Sequence, residues 1–149
     1  MEIQQYLTTL QSQLFDKNNW QQIILNRSWT SQIPRKAGVY VFKENDNIVY
    51  VGETGNLQGR MNDLLDSRHH QIRRTLGSKL FSTYEGFQKA TSMNKFPPNI
   101  EVLLNNHIAT NLSVAYLEVS LGRKELEELI QQDIHIDIRL NKRGKRISN

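Results

Sequence analysis

The spacing of apolar residues along the chain changes between the period of helices and that of strands. Apolar residues three or four positions apart form one face of a helix. In the opening segment these residues are Ile3, Leu7, Leu10 and Leu14. They predict an N-terminal helix, residues 20–25 predict a short helical turn, and similar spacing predicts helices over residues 57–65, 72–80 and 124–132.

Other segments have the β-branched and aromatic composition of strands. Residues 38–42 (GVYVF) and 48–51 (IVYV) flank the sequence KENDN, whose Asn and Asp favour a turn, so they predict a β-hairpin. Further strands or extended segments are predicted at residues 100–104, 114–119 and 134–140. Residues 82–99, rich in Gly, Thr, Ser, Asn and Pro, predict a loop or an insertion.

Charge and cysteine content narrow the class of protein. Nineteen Lys and Arg against fifteen Asp and Glu give a net charge of +4, with basic clusters at residues 35–36, 68–74 and 142–146. These clusters favour a polyanionic partner, although +4 is also an ordinary charge for solubility. The chain has no cysteine, which excludes disulfides, thiolate zinc sites and cysteine nucleophiles.

Neither a membrane span nor a signal peptide is predicted. No apolar run approaches the roughly 20 residues that cross a bilayer, and the first residues have no basic segment followed by a purely apolar one. We therefore expect a cytoplasmic protein without a membrane partner.

Two tyrosines and an arginine have the chemistry of a phosphoryl-transfer site. The predicted hairpin carries Tyr40 on its first strand and Tyr50 on its second, and Arg60 follows in the next helix. Such a site needs a phenol that can move protons, a cation that holds phosphate oxygens, and a carboxylate for a metal ion. One strand tyrosine usually serves packing alone, so the combination carries the argument.

The motifs around these three residues resemble the core of the GIY-YIG nucleases. The matching segments are GVY at 38–40, YVG at 50–52 and NLQGRM at 56–61. The spacings of ten residues from Tyr40 to Tyr50 and from Tyr50 to Arg60 resemble those of the DNA-repair excinuclease branch. The resemblance runs from residue 37 to 61 and resumes in weaker form over residues 114–141.

The resemblance implies an α+β fold with a small central antiparallel sheet of three strands, in the order β-hairpin, helix, third strand, flanked by helices. An N-terminal helix is added to this frame. A single domain is expected over residues 1–149, since about 100 to 200 residues is usual for one domain. Its predicted parts are an N-terminal helical extension (1–33), the core (36–141) with an insertion around 82–112, and a basic tail (142–149).

The implied function is that of an endonuclease that depends on Mg²⁺ or Mn²⁺ and hydrolyses phosphodiester bonds in DNA to leave a 5′-phosphate and a 3′-hydroxyl. Tyr40 and Tyr50 would lie in the cleft, one of them assisting removal of a proton from the attacking water. Arg60 would bind the scissile phosphate. Gly52 and Asn141 match positions that order the site without reacting. The alternative for Asn141 is a role as a C-terminal capping or turn residue.

The metal ligand implied by the resemblance is a glutamate ahead of a Leu-Ile pair, found here at residues 129–130. Leu126 occupies its usual position, so this sequence departs from the pattern. Glu127 lies three residues before Ile130 and is preferred as catalytic and metal-binding residue, with Glu125 and Glu128 as alternatives. The alternative is that all three glutamates are solvated charges on the helix surface.

A second departure is Glu53, where family members often carry a lysine or a small residue. No catalytic role is assigned to Glu53, which is expected to be a hydrogen-bonding neighbour of the site or an exposed turn residue.

A basic segment after the hairpin is the predicted DNA-binding surface, because contacts to the phosphate backbone need positive charge without base specificity. Its residues, together with Arg60, are Arg68, His69, His70, Arg73 and Arg74. A catalytic role for His69 or His70 is a secondary hypothesis, and two adjacent histidines make a poor metal site because neighbours on a helix point about 100° apart.

Several alternatives stay open at the level of sequence. One alternative is that the chain is a catalytically inactive module of this family that binds nucleic acid or a protein partner. A homodimer or a partner protein would supply specificity, because no recognition domain is evident. Restriction, homing and repair roles are all compatible, and the absence of a second domain favours a stand-alone or restriction-like role.

Overall fold

Four antiparallel strands form one sheet in the structure of the protein, a computed structural model that describes residues 2–141. The spatial order is β1-β4-β2-β3, so β2 is hydrogen-bonded on both sides. The strands are β1 (Gln21–Gln22), β2 (Gly38–Glu44), β3 (Asn47–Thr54) and β4 (Leu112–Glu118). Three of them form the predicted three-stranded sheet, and the two-residue β1 adds a fourth strand at one edge.

Six α-helices form within the described part of the chain, and none is long and apolar enough to cross a membrane. They are α1 (Ile3–Leu14), α2 (Arg27–Thr30), α3 (Leu57–Asp63), α4 (Gln71–Phe81), α5 (Pro98–Asn111) and α6 (Arg123–Asp133). The α+β class and the added N-terminal helix are therefore confirmed.

Alternation along β2 divides the protein into two apolar layers. Tyr40 and Phe42 pack with residues of α3, α4 and α5 on one face of the sheet. Val39 and Val41 pack with residues of α1 and α6 on the other face. Successive residues of a strand point to opposite faces, so each position of β2 belongs to one layer only. The sheet is consequently buried between two groups of helices.

The outer edge of β3 is satisfied by groups that are not part of a strand. The Asn141 side chain accepts from Val51 N at 3.1 Å and donates to Val51 O at 2.9 Å, as a neighbouring strand would. Leu140 N donates to Val49 O at 2.6 Å. Because unpaired backbone groups at a sheet edge attract other chains, these contacts close an edge that would otherwise be open.

Three local predictions were wrong. Residues 100–104 form part of α5 and not a strand: Pro98 occupies the first turn, where its missing N–H costs nothing, and Ile100, Leu104 and Ile108 form one buried face. Residues 20–25 contain β1 instead of a helical turn. Residues 134–140 form no strand, and the chain turns at 136–138 before reaching the β3 edge.

The predicted loop over residues 82–99 contains no helix or strand before α5 begins at Pro98. The division of the chain into extension, core and insertion stays a prediction. The basic tail at 142–149 lies outside the described residues.

A buried ion pair joins α4 to α5. Arg73 is 1% exposed, and its Nη2 donates to Glu101 Oε2 at 2.6 Å. Its Nε donates to Ser67 Oγ at 2.9 Å, and the same Glu101 oxygen accepts from that hydroxyl. A buried charge is tolerated when it is paired and hydrogen-bonded, so this network anchors the helix that carries Arg74 of the predicted basic surface.

We predict that Glu101→Gln lowers the free energy of unfolding by about 3 kcal/mol, because the Arg73 guanidinium would stay buried without its counter-charge. Chemical denaturation measures the change. Glu85→Gln, an exposed loop position, is the matched control and should change stability by less than about 0.5 kcal/mol. Equal effects of the two substitutions would show that the pair does not stabilise the fold.

Candidate active site

Three rings form the centre of the candidate site. The Tyr40 and Tyr50 rings are stacked with centroids 6.0 Å apart, and the His70 ring lies 5.9 Å from Tyr40 and 5.6 Å from Tyr50. A Cβ at Gly52 would collide with Cζ and Oη of Tyr40. Glycine at this position therefore gives the Tyr40 ring room to lie across β3, which supplies a physical reason for the predicted ordering role of Gly52.

Arg60 reaches this cluster from α3. The helix begins after Asn56, whose side chain accepts from Gly59 N at 3.1 Å and so caps the first turn. Arg60 Nε donates to Tyr40 Oη at 3.1 Å. Its Nη1 donates to Asp63 Oδ2 and to the His69 carbonyl, both at 3.1 Å. The guanidinium is held on two sides, and its side chain remains 26% exposed.

His70 joins the start of α4 to the same tyrosine. Its Nδ1 accepts from Ile72 N at 3.2 Å, which caps the helix, and its Nε2 lies 3.2 Å from Tyr40 Oη. A neutral imidazole that accepts at Nδ1 carries its proton at Nε2. His70 therefore donates to Tyr40, whose oxygen accepts from both His70 and Arg60.

Burial and charge shift the pKa values of the cluster in opposite directions. Burial, reinforced by Tyr50, raises the pKa of the Tyr40 phenol well above 10, although Arg60 acts against the shift. Burial lowers the pKa of His70 well below 6.5, and the positive charges of Arg60, Arg74 and Arg73 lower it further. At neutral pH the cluster thus contains a protonated phenol and a neutral imidazole.

The pKa of Arg60 reflects a balance of the same effects. Burial acts to lower it, but Tyr40, Tyr50 and Asp63 raise it above its ordinary value. Arg60 is therefore a permanent cation beside the tyrosines.

Glu127 lies at the β3 edge beyond Asn141. It is 7% exposed, and its Oε2 accepts from Glu53 N at 3.1 Å. Glu53 in turn accepts from Arg123 Nε at 3.1 Å, so it has the role of a hydrogen-bonding neighbour. Glu125 is exposed and Glu128 is half-buried. Of the three glutamates considered, Glu127 is the one buried at the sheet.

Glu127 binds β3 next to the residue that the Tyr40 ring contacts. Glu53 directly follows Gly52, the residue over which the Tyr40 ring lies. The carboxylate and the tyrosine are thus at the same end of β3. Within residues 2–141 no group of three or more His, Asp or Glu side chains is arranged to hold a metal ion. A metal bound here would have few protein ligands.

The predicted basic surface divides into exposed and buried parts. His69 has a 55% exposed side chain, and Arg68 pairs with Asp66 at 2.7 Å. Hydrogen bonding from Arg68 holds the pKa of Asp66 below its usual range. Arg74 is half-buried, whereas Arg73 and His70 are buried. Burial keeps these last two from contacting phosphate directly in this structure.

Two features of the site were missed at the level of sequence. Asp63 binds Arg60 three residues along α3, a spacing that predicts such pairs on a helix. The buried contact of His70 with Tyr40 had a weaker signal: a polar residue directly before the α4 pattern indicates a helix cap, but not which residue lies behind it.

We predict that His70 makes stability depend on pH below about 6.5. The unfolded chain binds a proton at His70 in this range and the folded protein does not, so stability falls as the pH drops below 6.5. The limiting slope is about 1.4 kcal/mol per pH unit. Denaturation between pH 7.5 and pH 5 measures it. His70→Asn, which keeps a capping acceptor, should show a smaller slope, and an unchanged slope would refute a neutral buried imidazole.

Comparison with known proteins agrees with the geometry. Residues 36–103 match the family model described as the GIY-YIG catalytic domain. Over 72 residues, or 48% of the chain, the sequence is 32% identical to UvrABC system protein C of Petrotoga mobilis (strain DSM 10674 / SJ95), and the match spans 11% of that protein. No solved structure matches significantly. By these comparisons residues 36–103, slightly less than half of the chain, are similar to the GIY-YIG catalytic domain.

Proposed function

We propose that this protein is an endonuclease that depends on Mg²⁺ or Mn²⁺ and hydrolyses DNA phosphodiester bonds, leaving a 5′-phosphate and a 3′-hydroxyl. The observation that carries the proposal is the convergence of Arg60 and His70 on the Tyr40 hydroxyl, beside the strand end that binds Glu127. Residues of β2, α3 and α4 meet at that hydroxyl, and Glu127 of α6 binds the backbone of Glu53, the residue after Gly52. Together these residues supply a cation, phenols and a carboxylate.

Arg60 binds the scissile phosphate in this proposal. Its Nε and Nη1 are occupied by protein acceptors, while Nη2 has no hydrogen-bond partner among residues 2–141. The partial exposure of the side chain lets a phosphate approach that nitrogen. A guanidinium fixed in advance stabilises charge on the non-bridging oxygens without rearranging during the reaction.

The two tyrosines take different parts. The pKa of Tyr40 is raised by burial, and its oxygen already accepts two hydrogen bonds, so Tyr40 is a poor proton acceptor. We assign it the orientation of Arg60. The Tyr50 hydroxyl, on the neighbouring strand, then assists removal of the proton from the attacking water.

Glu127 is the proposed metal ligand. Mg²⁺ is often bound by one or two carboxylates while it keeps several waters, so a single buried glutamate fits it better than it fits an ion that needs a full protein cage. Glu53 N fixes one Glu127 oxygen and thereby orients the carboxylate. When bound, the ion would offset charge on phosphate oxygens.

Arg68, His69 and Arg74 form the proposed surface for the DNA backbone. All three lie near the His69 carbonyl that holds Arg60, and His69 is the most exposed of them. The buried Arg73 instead maintains the shape of this surface through its pair with Glu101.

We predict that Arg60→Gln reduces the rate of DNA cleavage about 10²- to 10³-fold, because a fixed donor to the transition state is lost. Arg60→Lys should recover little of it, since an ammonium lacks the planar set of donors with which a guanidinium can hold Tyr40 Oη and Asp63 and still present a fixed N–H to phosphate. Arg27→Gln, an exposed arginine outside the cluster, is the control. Unchanged cleavage in Arg60→Gln would disprove the assignment.

We predict that Glu127→Gln lowers cleavage about a hundredfold or more at a fixed concentration of Mg²⁺, because the amide keeps an acceptor for Glu53 N but lacks charge for the metal. Excess Mn²⁺ should restore part of the activity, and EDTA should abolish it in the unaltered protein. Glu128→Gln and Glu125→Gln are the matched controls on α6. Loss of cleavage in either control, with Glu127→Gln active, would transfer the metal to that residue.

Cleavage assays on duplex, branched and single-stranded DNA test the proposal as a whole. DNA binding by the unaltered protein without cleavage of any of them, in Mg²⁺ or Mn²⁺, would instead identify an inactive binding module.

A further inference from the structure

A cavity of about 480 Å³ lies between α4 and the loop at residues 89–92. Gln71, Arg74, Thr75 and Ser78 line it from the helix, and Lys89 is the charged residue of the loop side. None of its eight lining residues is acidic. Its volume is within the range of about 300 to 1,000 Å³ that small-molecule sites occupy.

Two polar groups of this cavity are buried without partners. Gln71 Nε2 and Ser78 Oγ are shielded from solvent and have no hydrogen-bond partner among residues 2–141. Most buried polar side-chain atoms in folded proteins are hydrogen-bonded, so an unpartnered group needs an explanation. Both side chains line the same cavity, and neither atom is held by a partner in the described part of the chain. Rotation of the side chain would bring the atom to the cavity surface, where a ligand with hydrogen-bonding atoms would satisfy it.

The cavity also has two positive charges that are not neutralised locally. Arg74 Nη1 donates to the carbonyls of Ser67 and Arg68, at 3.1 and 2.7 Å, which leaves the other guanidinium nitrogens without described protein acceptors. Lys89 is exposed and forms no ion pair among the described residues. A ligand that carries negative charge is therefore favoured.

A short turn connects the cavity to the candidate active site. Arg74 holds the Arg68 carbonyl, and Arg60 holds the carbonyl of the next residue, His69. The Cα atoms of consecutive residues are about 3.8 Å apart, so the two guanidinium groups bind neighbouring peptide units. A strand whose phosphate is bound by Arg60 would bring an adjacent nucleotide to Arg74.

We infer that this cavity binds a nucleotide of the DNA strand next to the scissile phosphate. This inference rests on the proposed function, because it takes Arg60 as the site of that phosphate. Arg74 and Lys89 bind the flanking phosphate, while Gln71 and Ser78 hydrogen-bond the sugar or the base edge. Phosphate contacts position DNA and amide or hydroxyl contacts add selectivity, so the cavity contributes to the choice of substrate.

The test measures DNA affinity without cleavage. Fluorescence anisotropy in EDTA, over a series of salt concentrations, compares the variants on labelled duplex, branched and single-stranded DNA. Lys89→Gln should weaken binding of at least one DNA about three- to tenfold and reduce its salt slope by about one. Lys79→Gln, which removes the same charge from an exposed position of α4 outside the cavity, should leave that slope unchanged.

Ser78→Ala separates a binding role from a structural one. Removing an unpartnered hydroxyl should not lower the free energy of unfolding, but it should weaken binding of the same DNA about threefold. The inference would be overturned if Lys89→Gln and Lys79→Gln had equal affinities for DNA and Ser78→Ala had the affinity of the unaltered protein. Absence of DNA binding by the unaltered protein would overturn it as well.

Two further measurements distinguish the source of the nucleotide and the two proposals. Calorimetry with free deoxynucleoside monophosphates and with inorganic phosphate tests whether the cavity binds a soluble ligand. The assignment to DNA would be overturned if Ser78→Ala abolished binding of either compound but left DNA affinity unchanged. An inactive protein whose DNA affinity depends on Lys89 and Ser78 would disprove cleavage but retain the cavity. A protein that cleaves DNA, but whose DNA affinity depends on neither residue, would support the nuclease and disprove the role of the cavity.

Discussion

The double pairing of β2 is the constraint on which the rest of the structure depends. β2 is hydrogen-bonded to β3 on one side and to β4 on the other, with Tyr40 opposite Gly52 and Tyr116. A slip of one residue in either register would move Tyr40 to the face that Val39 and Val41 now occupy. The tyrosine would then lose Arg60 and His70 together, so the candidate site exists only in this register.

Local patterns predicted much of the fold because most of its elements carry their own signals. The hairpin has strand-like runs around Asn45, whose positive φ of 55° suits a turn, and α1 and α6 have clear apolar faces. The strand predicted at residues 100–104 was wrong because the short run IEVLL fits the period of a strand as well as that of a helix. Packing on α4 and the position of Pro98 favour the helix. β1 was missed because two glutamines have no strand composition and pair only because β4 lies beside them.

The positions of several candidate site residues could also be predicted from local sequence. The proximity of Tyr40, Tyr50 and Arg60 follows from a hairpin and a short connection to α3, all local in sequence. Glu127 was preferred from helical spacing, and its burial at β3 agrees with a position on the buried helix face, while its metal-binding role stays a prediction. The burial of Arg73 was not predictable, because its counter-charge is 28 residues away on a helix that was expected to be a strand. Charge in a sequence does not reveal whether solvent or a distant carboxylate surrounds it.

The outer edge of β3 has a consequence for regulation by other chains. Its backbone groups are already bound by Leu140, by the Asn141 amide and, at Glu53 N, by the Glu127 carboxylate. An extended peptide can bind a sheet by adding a strand to an open edge. At this edge such a peptide would have to displace Glu127 first, so strand addition and an oriented carboxylate exclude each other. In the proposed nuclease, a chain that inserted itself there would inhibit cleavage by displacing the proposed metal ligand.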